Sequence, residues 1–169
     1  MNYFELLDVE KKYDIDQALL QKHYLSKQAV YHPDRASDET TRTEYLNISM
    51  QLNEAYKILK DDYMRAEYLL KISGQEFDER ALRNALSTSE LEEIMGLYET
   101  LDAIDQLPEL QALKKMKIAE QTRMVQELAE HFEASNIAKA LDLTVRLKYL
   151  TNLVKNIKFK IRHANNRDQ

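Results

Sequence analysis

Cysteine is absent from this chain of 169 residues, and glycine and proline occur only twice each. Without a thiol, the chain can form no disulfide, no thiolate metal site and no cysteine nucleophile. The four histidines are spaced too widely for the i, i+4 pair of a helical metal site: His23, His32, His131 and His163. We therefore expect no metal site and no other cofactor.

The scarcity of glycine and proline also bears on the fold, because these residues usually punctuate strands and hairpins. With 44% hydrophobic and 31% charged residues, the composition is that of a globular protein. Apolar residues recur at helical spacing along most of the chain. The sequence therefore predicts an all-α fold with long helices.

Other absences limit the partners and the location. No run of about 18 apolar residues exists, so we expect no membrane span. Residues 1–8 include acidic side chains where a targeting peptide needs positive charge, which favours a cytoplasmic location. The net charge of −5 argues against nucleic acid as the main partner, because phosphate binding needs a basic footprint.

The most distinctive polar stretch is the turn His32-Pro33-Asp34. Pro33 disfavours the α conformation in the residue before it, so the preceding helix must end at Tyr31 or His32. Residues 33–41 are rich in Asp, Ser and Thr and are expected to form a loop.

Taken alone, His32 and Asp34 could be proposed as an acid–base pair. No candidate nucleophile lies near them in the sequence, and no glycine-rich loop could hold a phosphate. A three-residue turn also cannot exclude water from a reaction. We therefore expect no catalytic residue in this chain.

Apolar stripes flank the turn and predict an antiparallel helical hairpin. Asp14 or Asp16 can cap its first helix, and Gly74 can end the short helix that follows the hairpin. The stripes contain Leu20, Tyr24 and Tyr31 before the turn and Tyr45, Ile48, Leu52, Ala55, Tyr56 and Leu59 after it.

The remainder of the chain predicts an antiparallel three-helix bundle. One of residues 87–89 caps its first helix, with Glu92 or Glu93 completing a capping box. Pro108 fits the first turn of the second helix, and Ser135-Asn136 separates the second helix from the third. The predicted organisation is an N-terminal domain at 1–74, a connecting segment at 75–86 and a C-terminal domain at 87–169.

Tyr24 and Tyr31 before the turn, and residues 53–59 after it, resemble the J-domain of DnaJ-type co-chaperones. The resemblance implies that the turn docks on the ATPase and linker region of a DnaK-type chaperone and stimulates its ATP hydrolysis. It also implies that the chain is not itself an enzyme. The expected chaperone-binding residues are His32, Pro33, Asp34, Lys22, Lys27 and Arg35.

One departure from generic J-domains concerns the two turns before His32. Generic J-domains place basic pairs there, where this sequence has Leu25, Ser26 and Val30. Steering toward an acidic chaperone surface depends on such charges, so a different chaperone footprint is expected.

The resemblance extends beyond the J-domain. Residues 1–7, residues 64–70 and the predicted bundle are similar to the HscB family of iron–sulfur cluster co-chaperones, in the bacterial form that lacks a Cys-x-x-Cys extension. This similarity implies that the chain delivers an IscU-type scaffold protein to a specialised, HscA-type DnaK chaperone. Cluster transfer to apoproteins would follow.

In that family an apolar and acidic patch on the bundle holds the scaffold. Here the patch corresponds to Leu91, Met95, Glu99 and Tyr149. Gly96 stands where an acidic residue would be expected, and Glu92 where an apolar one would be. Core packing is the alternative role for the two apolar side chains of the predicted bundle helix, since they lie at helical spacing.

Two other functions remain open from the sequence. A general J-domain co-chaperone would use the bundle to bind unfolded clients. A nucleic-acid binder would use the basic stretch 146–167, although its lysines are interleaved with apolar residues and the chain has few aromatic residues for base stacking.

Overall fold

The computed structural model describes residues 1–77 and 86–165, and every regular element within these two ranges is helical. The predicted all-α fold is confirmed. The chain divides into two compact units, Met1–Leu69 and Leu70–Gln169. Most of the predicted connecting segment 75–86 lies outside the described residues. The helices are α1 Tyr3–Leu6, α2 Gln17–Val30, α3 Glu39–Lys60, α4 Asp62–Ile72, α5 Thr88–Ala103, α6 Leu107–Glu133 and α7 Ile137–Asn165.

Helix α2 begins and ends where local chemistry requires it. Asp16 is the N-cap, and its carboxylate accepts hydrogen bonds from the backbone N–H groups of Ala18 and Leu19 at 2.9 and 3.0 Å. The last helical residue is Val30 and the C-cap is Tyr31, so the helix proper ends one residue before the predicted end at Tyr31 or His32.

The prediction of a loop over residues 33–41 is wrong at its C-terminal end, where a helix has already begun. Residues Pro33–Arg35 form a single 3₁₀ turn, and α3 already begins at Glu39. Its N-cap is Asp38, which accepts hydrogen bonds from the backbone N–H and the hydroxyl of Thr41, both at 2.8 Å. These hydrogen bonds lower the pKa of Asp38. The first turns of α3 are polar and exposed, so the apolar stripe that starts at Tyr45 marks the beginning of the buried face and not of the helix.

Helices α2 and α3 pack as the predicted hairpin. Near the open end their contact is aliphatic, with four fully buried side chains: Leu20, Leu52, Ala55 and Leu59. Toward the turn it becomes aromatic. Tyr24 stacks on Tyr56 with ring centroids 4.1 Å apart, and Tyr31 meets Tyr45 edge to face at 5.5 Å.

A buried arginine in the first turn of α4 links separate segments of the N-terminal unit by hydrogen bonds. Arg65 donates hydrogen bonds to the carbonyl oxygens of Tyr13 and Leu59, each at 2.7 Å, and pairs with Asp62 at 2.6 Å. Its guanidinium also lies 4.7 Å from the centre of the Tyr13 ring. One side chain therefore joins the segment before α2 to the end of α3.

Helix α4 ends as predicted at a glycine. Gly74 has a φ of 82°, in the left-handed region that side chains disfavour. The N–H groups of Gln75 and Gly74 donate to the carbonyls of Leu70 and Lys71, both at 3.0 Å, which is the pattern of a Schellman motif.

In the C-terminal unit the predicted capping box exists, but with a different partner. The N-cap of α5 is Ser87, and the box is completed by Glu90 and not by Glu92 or Glu93. A capping box joins the cap to the third helical residue, and three residues after Ser87 the chain has Glu90. The hydroxyl and the backbone N–H of Ser87 both donate to the Glu90 carboxylate and lower the pKa of Glu90.

The bundle is organised around α7, which packs closely against α6 and more sparsely against α5. Pro108 lies in the first turn of α6, and α7 follows the break at Ser135 and Asn136, as predicted. All three helices contribute to one apolar core: Leu101 from α5, Leu110 from α6, and Leu153 and Ile157 from α7. The predicted three-helix bundle is confirmed.

Candidate functional site

The His-Pro-Asp turn lies at the tip of the hairpin with its polar side chains in solvent. His32 is the N-cap of the 3₁₀ turn, and its Nδ1 accepts a hydrogen bond from the backbone N–H of Asp34 at 3.3 Å. Because Nδ1 accepts, a neutral imidazole carries its proton on Nε2 and can donate it to a partner. The Asp34 carboxylate is exposed beside it, with Oδ2 at 3.5 Å from Nδ1. The turn therefore offers one donor and one anionic acceptor.

Arg35 fastens this turn to α2. Its Nη1 donates to the carbonyl oxygen of Ala29 at 2.7 Å, and its backbone N–H donates to the carbonyl of His32 at 2.9 Å. Helix C-terminal carbonyls lack partners within the helix, so a guanidinium is well placed there. The turn and the C-terminal end of α2 therefore form one surface.

The two candidate lysines of α2 are in different situations. Lys22 is exposed, about 15 Å before the turn at 1.5 Å per residue. Lys27 is paired with Asp8 at 2.8 Å, so much of its charge is neutralised within the N-terminal unit. The structure therefore brings His32, Pro33, Asp34 and Arg35 together and leaves the lysines apart.

A polar network behind the turn was missed from the sequence. The Nε2 of Gln28 donates to Asn53 Oδ1 at 2.8 Å and to the carbonyl of Ser49 at 3.1 Å, and the Ser49 hydroxyl donates to Gln28 Oε1 at 2.8 Å. Tyr24 donates its hydroxyl to the same Asn53 oxygen at 2.7 Å. The sequence signal for this network was the presence of polar residues within the apolar stripes of both helices. This network fixes α2 against α3 next to the turn.

In the bundle, the candidate scaffold residues of α5 face solvent. Leu91 is 37% exposed and Met95 63% exposed, and Glu99 is exposed on the same face. The core alternative for Leu91 and Met95 therefore does not hold. The α5 side chains that pack on the bundle core are Leu97, Tyr98, Leu101 and the flanking Ile104. We call Leu91, Met95 and Glu99 the α5 patch.

Tyr149 is half-buried on α7 and lines a groove whose α5 wall includes Glu93, Ile94 and Tyr98. The lining of this groove includes none of the three residues of the α5 patch, so the structure places Tyr149 on the groove and not within the patch. Gly96 is half-buried, with open space where a side chain would begin, and Glu92 is exposed.

Two basic side chains of α7 make contacts within the bundle. Arg146 pairs with Glu90 and with Asp142. Lys160 donates to the carbonyl oxygens of Leu101 and Asp102 at 2.7 and 2.8 Å, at the C-terminal end of α5. Arg146 and Lys160 thus join α7 to α5, so these two cations of the basic stretch are engaged within the C-terminal unit.

Two further searches concern the described part of the chain only. Within residues 1–77 and 86–165, no helix combines the length and apolar character needed to cross a bilayer. In the same ranges, no three His, Asp or Glu residues are grouped so that they could hold a metal ion.

Both halves of the chain match protein-family models. The DnaJ domain model matches residues 2–68, and the model described as the HSCB C-terminal oligomerisation domain matches residues 87–158. The co-chaperone protein HscB homolog of Pseudoalteromonas atlantica is 30% identical over 171 residues, which cover 96% of this chain and 93% of that protein. The chain belongs to the HscB co-chaperone family.

Solved structures of this family share the fold. The crystal structure of human co-chaperone HscB gives a TM-score of 0.87 at 27% identity, covering 95% of this chain and 82% of the human one. HscB from Vibrio cholerae gives 0.82 at 29% identity, covering 94% of this chain and 96% of the other. The J-domain of this HscB-family chain implies a DnaK-type chaperone as its partner.

Proposed function

We propose that the chain acts in iron–sulfur cluster assembly as a two-site adaptor. The bundle binds an IscU-type scaffold protein through Leu91, Met95, Glu99 and Tyr149. The J-domain turn binds an HscA-type DnaK chaperone and stimulates its ATPase, and cluster transfer to apoproteins follows. The chain itself catalyses no reaction. Its proposed location is the bacterial cytoplasm.

One observation carries the chaperone half of this proposal. The polar groups of the turn are exposed while its backbone is fixed by Arg35 and by the hydrogen bond between Asp34 and His32. A fixed, exposed donor and carboxylate lose little entropy when they bind a partner and can pair with a cation such as an arginine. The human relative, named iron–sulfur cluster co-chaperone protein HscB, is 29% identical over 94% of this chain and supports the choice of pathway.

The scaffold half is supported by the exposure of the α5 patch. Leucine and methionine side chains in solvent gain free energy when a partner covers them, and Glu99 beside them can select a basic neighbour. The half-buried ring of Tyr149 can extend the apolar contact, as aromatic rings often do at interfaces.

Leu91→Ala combined with Met95→Ala should weaken binding of an IscU-type scaffold by about tenfold or more, because central apolar contacts each contribute about 1 kcal/mol or more at an interface. The folded state should change little, since both side chains are exposed. Isothermal titration calorimetry with the scaffold and thermal unfolding of the double variant measure the two quantities.

The matched control is Leu46→Ala with Met50→Ala, another exposed i, i+4 pair, on α3 in the N-terminal unit. The control should bind the scaffold like the wild type. Equal loss in both double variants would contradict a specific patch, and a large drop in thermal stability of the α5 variant would mean that the loss of binding reflects unfolding and not a lost contact.

A second candidate function shares the exposed apolar patch. A general co-chaperone would use Leu91 and Met95 to bind unfolded clients. Competition decides between the two: if a reduced, unfolded model protein displaces the scaffold at comparable concentration, the general function is correct. We expect that unlabelled scaffold displaces the bound scaffold and that the unfolded protein does not.

A further inference from the structure

Helix α7 carries only positive charge after its first turns. Residues 143–165 contain no aspartate and no glutamate, and the same is true of residues 110–119 in α6. In a chain whose net charge is −5, both stretches are local exceptions. Arg146 and Lys160 use their charge to hold α5. The remaining cations of α6 and α7 form a separate surface.

One hydrogen bond gives the register between the two helices. Gln121 of α6 donates its Nε2–H to the hydroxyl of Thr151 of α7 at 3.0 Å. Seven residues are almost two helical turns, so Lys114 lies on the same side of α6 as Gln121. By the same step, Lys158 lies on the same side of α7 as Thr151. The helices are antiparallel, so both steps run in one direction and bring Lys114 and Lys158 to the same level.

This side of α7 faces away from α5. The α7 cations that contact α5, Arg146 and Lys160, lie about 140–180° around the helix from Lys155. Three other cations lie within about 60° of Lys155: Lys148, Lys158 and Arg162. We call these four residues of α7, together with Lys114 of α6, the α6–α7 basic face.

The charges of this face are not neutralised by the described part of the chain. Lys155, Lys158 and Arg162 are exposed, and Lys114 and Lys148 are half-buried. Within residues 1–77 and 86–165, none of the five pairs with a carboxylate. Like charges three or four residues apart on a helix repel one another. An anionic partner would relieve this repulsion.

The face also contains exposed apolar side chains. Phe159 is 60% exposed and lies between Lys155 and Arg162 on the same side of α7. Ile118 of α6 is 36% exposed and lies about one turn from Gln121 in the direction of Lys114. Along α7 the cations stand at i, i+3 and i+7 and the phenylalanine at i+4. This is the spacing at which one helix presents a face to another helix.

We propose that the α6–α7 basic face binds a helix of a partner protein that presents acidic side chains around an apolar residue. The acidic side chains pair with the five cations, and the apolar residue packs on Phe159 and Ile118. The inference goes beyond the proposed function, because none of these residues belongs to the turn or to the scaffold-binding set. The face and α5 lie on different sides of α7, so the scaffold and this partner can be bound together.

The size of the face predicts a weak complex. It measures about 20 Å from Lys148 to Arg162, at 1.5 Å per residue, and about 10 Å across, the distance between two packed helices. This area is a fraction of the roughly 800 Å² that each partner buries in a stable complex. Exposed ion pairs are individually weak and are screened by salt. We therefore expect a Kd of about 0.1 mM in about 50 mM salt.

Two other anionic partners fit the face less well. A single-stranded nucleic acid binds where successive bases stack on several aromatic rings, and the ring of Phe159 already lies 4.2 Å from that of His163. An anionic membrane surface needs a continuous apolar strip that can insert, whereas Ile118 and Phe159 stand on separate helices.

The test uses the full chain and a labelled helical peptide of about 20 residues, with glutamates at i, i+3, i+4 and i+7 around a central leucine. Fluorescence anisotropy measures its Kd. We expect binding to weaken at least about fivefold between about 50 and 200 mM salt, because exposed charges are screened. A peptide of the same composition, with the glutamates distributed evenly around the helix, should bind more weakly.

Lys155→Glu combined with Arg162→Glu should weaken peptide binding at least about tenfold, since two attractive pairs become repulsive. Arg42→Glu with Lys57→Glu is the matched control, because both residues are exposed on α3 and the change in net charge is the same. Phe159→Ala should weaken binding about threefold without altering the salt dependence. Thermal unfolding shows that all three variants are folded, and their affinity for the scaffold should match that of the wild type.

Several outcomes would overturn the proposal while leaving the proposed function intact. No peptide binding up to about 1 mM, or equal loss in the two double variants, would exclude a specific acidic partner at this face. Binding of a 20-nucleotide thymidine strand, or of vesicles with about 30% anionic lipid, at least about tenfold more tightly than the peptide in about 150 mM salt would assign the face to nucleic acid or membrane. Self-association that disappears in the Lys155→Glu, Arg162→Glu variant would assign it to a second copy of the chain.

Discussion

His32→Gln is expected to abolish stimulation of the DnaK-type ATPase, with a loss of at least about 30-fold, since a central contact residue contributes about 2 kcal/mol or more. In the structure Nδ1 accepts the N–H of Asp34, which leaves Nε2–H for the partner. A glutamine amide can reproduce the acceptor or the donor, but its flexible side chain cannot hold both in the geometry of the ring. Steady-state ATP hydrolysis by the chaperone, with scaffold present, is the measurement.

The control for this variant is His163→Gln. His163 is also exposed, on α7, where its ring lies 4.2 Å from that of Phe159. This substitution should leave the ATPase stimulation unchanged. Both variants should keep wild-type affinity for the scaffold, because neither touches the α5 patch. Full stimulation by His32→Gln would disprove the role assigned to the turn.

Arg65→Met should lower the free energy of unfolding of the N-terminal unit by about 2–4 kcal/mol, because a buried cation with three acceptors is removed. The carbonyls of Tyr13 and Leu59 lose their 2.7 Å donors, while the half-exposed Asp62 can be hydrated again. Native-state hydrogen exchange of α2 and α3 measures the effect within this unit. We place the value below that of a fully buried ion pair because water still reaches Asp62.

Lys57→Met on α3 is the matched control, as Lys57 is exposed and only its 3.8 Å pairing with Glu54 is lost. Its effect should stay within about 0.5 kcal/mol, the usual range for surface substitutions. If Arg65→Met were equally mild, the apolar contacts of Leu20, Leu52 and Leu59 alone would hold the unit together, and the arginine would be dispensable.

The features predicted correctly from the sequence depend on neighbours within a few residues. Pro33 restricts the residue before it, Asp16 caps its own helix, and Gly74 supplies its own left-handed φ. The start of α3 at Glu39, with Asp38 as its cap, was missed because the apolar stripe begins later than the helix. Rules that depend only on neighbouring residues thus predicted these helix ends. The exception is the start of α3, whose first turns are exposed to solvent and carry no apolar stripe.

Features that depend on distant neighbours could not be predicted from the sequence. Arg65 lies in the segment that carries the family resemblance, but its acceptor at Tyr13 is 52 residues away. The network of Gln28, Ser49 and Asn53 similarly joins two helices across the turn. The exposure of Leu91 and Met95 also required the fold, since helical spacing alone suits a core equally well. The partner contacts themselves stay predictions.

The hydrogen-bond network behind the turn also limits how α2 and α3 can move. Two helices joined only by leucines can slide by a fraction of a turn, because dispersion forces depend weakly on direction. The bonds that Gln28 makes to Asn53 and Ser49 are directional, and a sliding movement of about 1.5 Å, one residue, would break them together. The hairpin therefore has a single axial register, and if a chaperone binds the turn as proposed, we expect α2 and α3 to move together and not to slide past each other.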